Sequence, residues 1–286
     1  MKKVLFTIAA MLLPMLASAQ GAVEIDGIYY YLDSEAKTAE VTDKPGKYEG
    51  DVTIPGIVYY EETTYNVTYI GNGAFSGCSG LTSIIIPDGV FYIGYNAFNG
   101  CSSLTSVTIP NSVTEIYNNA FKDCVGLTSV TIPNSVTYIG FGAFSGCSGL
   151  TYFTIPNSVT RIGASAFLNT GWYLEQSDGL LYQDGWLLGY KGKKPTGTIK
   201  IVEGTKGIIG EAFSDCSGLT SITIPNSMTF ICNEAFEYCS GLTSILLPNS
   251  VTEIGDYVFE GCSGLTSVTI PNSVSAIGFS TFKECI

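Results

Sequence analysis

Eight cysteines, Cys78, Cys101, Cys124, Cys147, Cys216, Cys239, Cys262 and Cys285, stand on one phase of a 23-residue spacing, and a ninth, Cys232, stands off it. Thiols can attack electrophiles, bind soft metals or close disulfides. Their spacing weighs between these roles. Residues on one phase of a stacked repeat lie roughly 4.8 Å apart with parallel side chains, whereas a disulfide needs a near-perpendicular torsion. The series therefore reads as a ladder of buried free thiols behaving as small hydrophobes, with a disulfide framework as the alternative. Cys232 takes the place held by Gly94, Gly140 and Gly255 and reads as an ordinary substitution rather than a reactive thiol.

Other chemistry is thinly provided. The chain has no histidine, which removes the usual general base, the usual metal ligand and the Ser-His route to a nucleophile. No CxxC pair and no D-x-D-x-D-G calcium loop occurs. Glycoside hydrolysis needs two acids facing one cleft. Glu115 and Glu253 share a phase but sit six repeats apart in sequence, roughly 30 Å at the rise of stacked strands. No catalytic residue, metal site or cofactor is expected, and the chain reads as a non-enzyme.

The elements that position these residues follow from a second periodicity. Phe75, Phe98, Phe121, Phe144, Phe167, Phe213, Phe236, Phe259 and Phe282 recur with the cysteines, and Cys147 to Cys216 spans 69 residues, three periods of 23. Tyr190 stands where the absent Phe would be. Self-similarity of this length marks a solenoid whose units stack to share one core. In one unit, Leu81, Ile84 and Ile86 point one way while Ser83 and Ile85 point the other, the period of a strand. Pro87 ends it, a turn follows, Val90 and Ile93 return to the core, and Gly94 bends the chain toward Ala97-Phe98. The prediction is a mainly β leucine-rich repeat solenoid of about ten coils, on the order of 50 Å long, with little helix.

Three segments depart from the repeat. Residues 1–19 read as a secretory signal: Lys2-Lys3, an apolar run from Val4 to Leu16 and the small-residue site Ala17-Ser18-Ala19. That run is too short to span a bilayer, so no transmembrane helix is expected in the mature chain. Residues 20–69 read as an N-terminal β cap with a lengthened first repeat, and 70–286 as the solenoid. Within it, 170–200 contains both tryptophans, Trp172 and Trp186, and "GLLYQDGWLLGY" predicts a hairpin turning at Asp184-Gly185 that patches the core. The chain stops at Cys285-Ile286 inside a repeat, which reads as a frayed last coil or a truncated piece.

The unit C-x-x-L-T-S-I-x-I-P-x-S-V-T-x-I-G-x-x-A-F resembles the treponemal-type repeat of the BspA-like bacterial surface proteins, from about Ile54 onward. "NTGWYLEQSDGLLYQDGWLLGYKG" also resembles a segment within that family. The resemblance implies a secreted or bacterial cell-surface protein associated with adhesion, whose partner is a host or bacterial surface protein; a glycan-capture or structural module of the envelope is the alternative. The mature chain carries 11 basic against 25 acidic residues, a charge of −14, which disfavours nucleic acid and anionic membranes.

A binding face should be written in the positions that vary at an outward phase. Before the core Ile of the return segment these are Tyr92, Glu115, Tyr138, Arg161, Phe230, Glu253 and Ala276. The strand's own outward phase is bland hydroxyl, Ser83, Ser106 and Ser129, until Tyr152. Tyr92, Tyr138, Phe141, Tyr152 and Arg161 are the candidate ligand-binding residues, with the aromatics forming a patch suited to protein anchors or sugar stacking.

Overall fold

The computed structural model describes residues 21–285; the signal read at residues 1–19 lies outside the described residues. The strand phase gives one ladder. Gly50–Thr53, Leu81–Ile85, Ser106–Thr108, Ser129–Thr131 and Tyr152–Thr154 pair in parallel in a five-stranded sheet. Each strand alternates as its sequence requires: Val107 is buried between exposed Ser106 and Thr108, and Val130 between Ser129 and Thr131. The return phase gives a second ladder, Thr63–Ile70, Tyr92–Ile93, Glu115–Ile116, Tyr138–Ile139 and Arg161–Ile162, within a nine-stranded sheet. Pro87, Pro110 and Pro133 lie between the two, each accepting a turn hydrogen bond from the valine three residues on.

A third wall carries the Ala-Phe landmark. Successive coils exchange three backbone bonds there, at every second residue. Asn119, Phe121 and Asp123 donate to the carbonyls of Phe141, Ala143 and Ser145, each at 2.8 Å. The two outer donors of each trio sit at positive φ, as at Asn96, Asn119 and Asp123, which explains why Gly, Asn and Asp cluster at these positions.

Inside the walls, Phe75, Phe98, Phe121, Phe144 and Phe167 stack with ring centroids 5.0–5.5 Å apart and nearly parallel planes. Tyr48, from the N-terminal segment, lies against the first ring, Phe75, at 4.6 Å. Strands Val23–Ile25, Ile28–Asp33 and Thr38–Thr42 extend the return sheet at that end, the first pairs antiparallel and Thr38–Thr42 parallel to Thr63–Ile70.

The solenoid makes about nine turns rather than the ten that the Phe period counts. The tenth, around Tyr190, is replaced by the hairpin Gly179–Gln183 and Trp186–Lys191. Its turn is Asp184-Gly185, both residues at positive φ, and Leu181, Trp186 and Leu187 are buried, so it patches the core as its sequence predicts. Trp186-Leu187 then pairs in parallel with Gly207-Ile208, and the return ladder resumes through Phe230–Ile231, Glu253–Ile254 and Ala276–Ile277. The helix Gly171–Glu175 precedes the hairpin; Thr170 caps its first turn, and the Lys191 ammonium donates to the carbonyls of Tyr173, Leu174 and Gln176 at its other end. No helix among the described residues is long and apolar enough to cross a membrane. In the last coil the core-phase Ile277 is 48% exposed.

Candidate functional site

The return ladder concentrates tyrosine. Parallel pairing aligns Tyr69, Tyr92, Glu115, Tyr138 and Arg161 side by side. Since Ile70, Ile93, Ile116 and Ile139 face the core, the residues before them face out. Tyr69 and Tyr92 stack at 5.5 Å; Tyr92 meets Tyr117 at 5.9 Å; Tyr95 stacks on Tyr117 at 4.9 Å; and Tyr117 meets Tyr138 edge-on at 6.3 Å. Five tyrosines thus form one contiguous aromatic surface across four coils. Burial, with the Glu115 carboxylate as a further cause, pushes the Tyr117 phenol well above its ordinary range, and burial raises that of Tyr138. Both are neutral donors at physiological pH.

Of the predicted residues, the structure brings Tyr92, Tyr138 and Arg161 onto this face. Phe141 is 43% exposed beside it, its N–H donating to the Asn118 Oδ1 that also accepts from the Tyr138 hydroxyl. Tyr152 is not part of the patch. It stands 66% exposed on the last strand of the other sheet, paired with Ser129, because residues on the strand phase and the return phase occupy different walls.

Tyr69, Tyr95 and Tyr117 complete the surface and were not among the sequence candidates. Tyr69 sits one 23-residue step before Tyr92, and Tyr117 sits where neighbouring coils carry Gly94 and Gly140; both signals are present in the repeat alignment.

Arg161 has a further position. Its guanidinium lies 5.4 Å from the Phe230 ring and 2.5 Å from the Glu253 carboxylate, joining the coils before and after the hairpin. Phe230, expected to vary freely on the surface, is therefore covered and only 8% exposed.

The cysteines are free thiols. Cys101, Cys124, Cys147, Cys239, Cys262 and Cys285 each donate to the carbonyl of the Phe 26 residues earlier, at 3.0–3.1 Å. Each thiol thus links its coil to the preceding one. Burial pushes the Cys232 and Cys262 thiols up to about 12, leaving them protonated and poor nucleophiles at neutral pH. Among the described residues no group of three or more His, Cys, Asp or Glu is arranged to hold a metal ion.

A known repeat family matches this architecture. The model of the BspA type leucine rich repeat region matches residues 62–174 and 190–286 in six copies. No curated protein matches the chain. The chain is similar to the crystal structure of a leucine rich cell surface protein from Faecalibacterium prausnitzii A2-165, with 27% identity, coverage of 94% of this chain and 93% of that one, and a TM-score of 0.41. A leucine-rich repeat protein from Bacteroides ovatus ATCC 8483 is also 27% identical, covering 92% of each chain with a TM-score of 0.36. The T. pallidum leucine rich repeat protein is 23% identical over 93% of this chain and 89% of that one, with a TM-score of 0.42. The repeat match on both sides of the hairpin, over well more than half the residues, establishes that this chain belongs to the BspA-type leucine-rich repeat family.

Proposed function

We propose that this protein is a non-catalytic, secreted or surface-presented adhesion module that docks a protein partner along the tyrosine-lined return ladder. The contiguous surface of Tyr69, Tyr92, Tyr95, Tyr117 and Tyr138 carries the reading. Tyrosine supplies a large apolar area with a polar tip at little entropic cost and is enriched among protein-interface anchors. The row runs across four coils, on the order of 15 Å at the strand rise, with Glu115 within it and Arg161 following in register. That alternation of rings with charges of both signs suits a polypeptide surface. The reading of residues 1–19 as a secretory signal supports an extracellular setting.

The test is binding of the mature chain to a panel of matrix proteins and purified polysaccharides, repeated with a Tyr92→Ala/Tyr138→Ala double variant and with Tyr152→Ala. The expected result is saturable binding to a protein, weakened at least tenfold by the double variant and unchanged by Tyr152→Ala. Undiminished affinity in a folded double variant refutes the assignment of the face. Binding confined to polysaccharides would replace it with glycan capture.

A further inference from the structure

The hairpin leaves one hydrogen-bonded junction unmade. On the wall that carries the Ala-Phe landmark, each coil donates three N–H groups, at every second residue, to three carbonyls of the next. Gly142, Phe144 and Gly146 donate to Ala164, Ala166 and Leu168 at 2.8–2.9 Å; beyond the hairpin, Glu211, Phe213 and Asp215 donate to Asn233, Ala235 and Glu237 at 2.8–3.1 Å. Between these trios the ladder stops. Ser165, Phe167 and Asn169 hold the donor positions of the coil before the hairpin, and Gly210, Ala212 and Ser214 hold the acceptor positions of the coil after it. Among the described residues, none accepts from those three N–H groups and none donates to those three carbonyls.

The donor side nevertheless keeps the conformation of a paired coil. Ser165 and Asn169 have φ of 56° and 57°, against 57° and 56° at the bonded Asn119 and Asp123. The solenoid remains closed beside the gap, where the Gly210 N–H donates to the Ile162 carbonyl at 3.0 Å. It then opens into a cleft of about 290 Å³, between Phe167 and Leu168 on one side and Glu211 and Ala212 on the other, with Trp172 and Tyr190 among its lining.

The contrast with the strand wall is informative. The same interruption exposes the edge of Tyr152–Thr154, and there the hairpin closes it with side chains: Asp184 accepts from the Ile155 N–H at 2.7 Å, and Gln183 donates to the Phe153 carbonyl at 3.1 Å. On the Ala-Phe wall the hairpin contributes Leu188, Gly189 and Tyr190 to the lining of the cleft, with Gly189 beside the Ala212 carbonyl, but no hydrogen bond from it closes the ladder.

We infer that this cleft is a second binding site, for a short peptide segment of a partner polypeptide that takes the place of the missing coil. Its N–H groups would reach the carbonyls of Gly210, Ala212 and Ser214, and its carbonyls would accept from Ser165, Phe167 and Asn169. Main-chain pairing of this kind gives affinity, and the side-chain pocket gives selectivity. The bonded coils define the chemistry: Gly or Asn at the first and fifth residues, where φ is positive, and a large apolar or aromatic residue at the third, facing Phe167, Trp172 and Tyr190. This site uses none of the return-ladder tyrosines and stands or falls separately from them.

The probe is an acetylated, amidated peptide copying residues 140–146, Gly-Phe-Gly-Ala-Phe-Ser-Gly, titrated into the 15N-labelled mature chain. A control peptide is N-methylated at its second Phe, the copy of Phe144, removing one donor while leaving the protein unaltered. The expected result is saturable binding with Kd on the order of 0.1–1 mM. The Ser165, Phe167 and Asn169 amides should move downfield and exchange more slowly, and the control should bind at least tenfold more weakly. Equal binding of both peptides, or no response of these three amides at millimolar peptide, overturns the proposal. So does finding them, in the free protein, as protected from exchange as Asn119 and Phe121, since the chain itself would then fill the ladder.

Discussion

Replacing one ring of the phenylalanine ladder should cost very different amounts depending on whether the hole it leaves is enclosed. Phe121 has no solvent exposure and is stacked on both faces, by Phe98 at 5.0 Å and Phe144 at 5.3 Å. Its truncation to Ala forfeits about 2–3 kcal/mol of transfer free energy. It also leaves a hole on the order of 100 Å³ between close-packed coils, adding about 2.4 kcal/mol at roughly 24 cal/mol per Å³. The sum is about 4–5 kcal/mol. Phe167 is nearly as buried, at 3%, and stacks on Phe144 at 5.5 Å and Phe153 at 4.2 Å, but it lines the cleft of about 290 Å³. Space vacated there joins a cavity that already exists and opens to solvent, so the enclosed-cavity contribution largely disappears and about 2–3 kcal/mol remains. Urea unfolding of the mature chain and the two variants, with slopes compared to verify a common transition, should place Phe167→Ala about 2 kcal/mol above Phe121→Ala in stability. Equal losses would refute both the cleft and the reasoning that separates an open hole from a sealed one.

Three further outcomes follow from the same geometry. Arg161 and Glu253 are partly exposed, so a double-mutant cycle of Arg161→Ala and Glu253→Gln should return a coupling of about 0.5–1 kcal/mol. That coupling should shrink in 1 M salt, and its absence at low salt would mean the contact does not join the halves of the solenoid. Burial raises the Glu40 carboxyl above its ordinary value. A raised folded pKa contributes stability that is fully present below the unfolded value and lost as pH rises through the folded one, so Glu40→Gln should raise the urea midpoint at pH 7 and leave it unchanged at pH 3.5; a loss of stability at pH 7 contradicts the burial argument. Finally, of the nine free cysteines only Cys285 is partly exposed. A thiol reagent should label it first in the native protein and the other eight only on unfolding, and rapid native labelling of Cys124 or Cys147 would disprove the buried ladder.

Much of the fold was legible because each repeat writes its geometry twice. The Phe and Cys phases fix what lies inside, and the period of two around Val107 or Val130 fixes which strand residues lie outside. The hairpin was legible from Asp184-Gly185, since two consecutive positive φ values need that turn chemistry. So was its place as a stand-in for one coil: Phe167 and Phe213 keep a spacing of two periods, because a hairpin of the same chain length preserves register without rebuilding three walls. The candidate site was legible by phase and illegible by wall. Tyr138 and Tyr152 belong to different phases, and only the three-dimensional course of the coil shows that these phases face apart. Tyr117 escaped notice because it replaces a glycine of the repeat, where a large residue reads as an isolated exception until its neighbours Tyr92, Tyr95 and Tyr138 are seen to surround it.

The distribution of hydrogen bonds explains why this architecture can tolerate an interruption and why the interruption has consequences. Coils are joined by three backbone bonds on the Ala-Phe wall, by parallel strand pairing on two others, and by a thiol or hydroxyl at intervals, as where Thr114, Thr137 and Thr160 each donate to the corresponding residue of the preceding coil. Stability in such a stack is close to a sum over neighbours, so losing one wall at one junction weakens that junction without unravelling the rest. Arg161 and Gly210 hold the two halves on the return side, and Gln183 and Asp184 close the strand side. On the donor side of the third wall Ser165 and Asn169 keep the φ of the bonded Asn119 and Asp123. An incoming peptide would therefore meet groups already set in place and lose less free energy to ordering than it would on a flexible loop. The same break that makes Phe167 cheap to truncate is what gives the solenoid a site with direction and register, whereas its regular outer faces repeat.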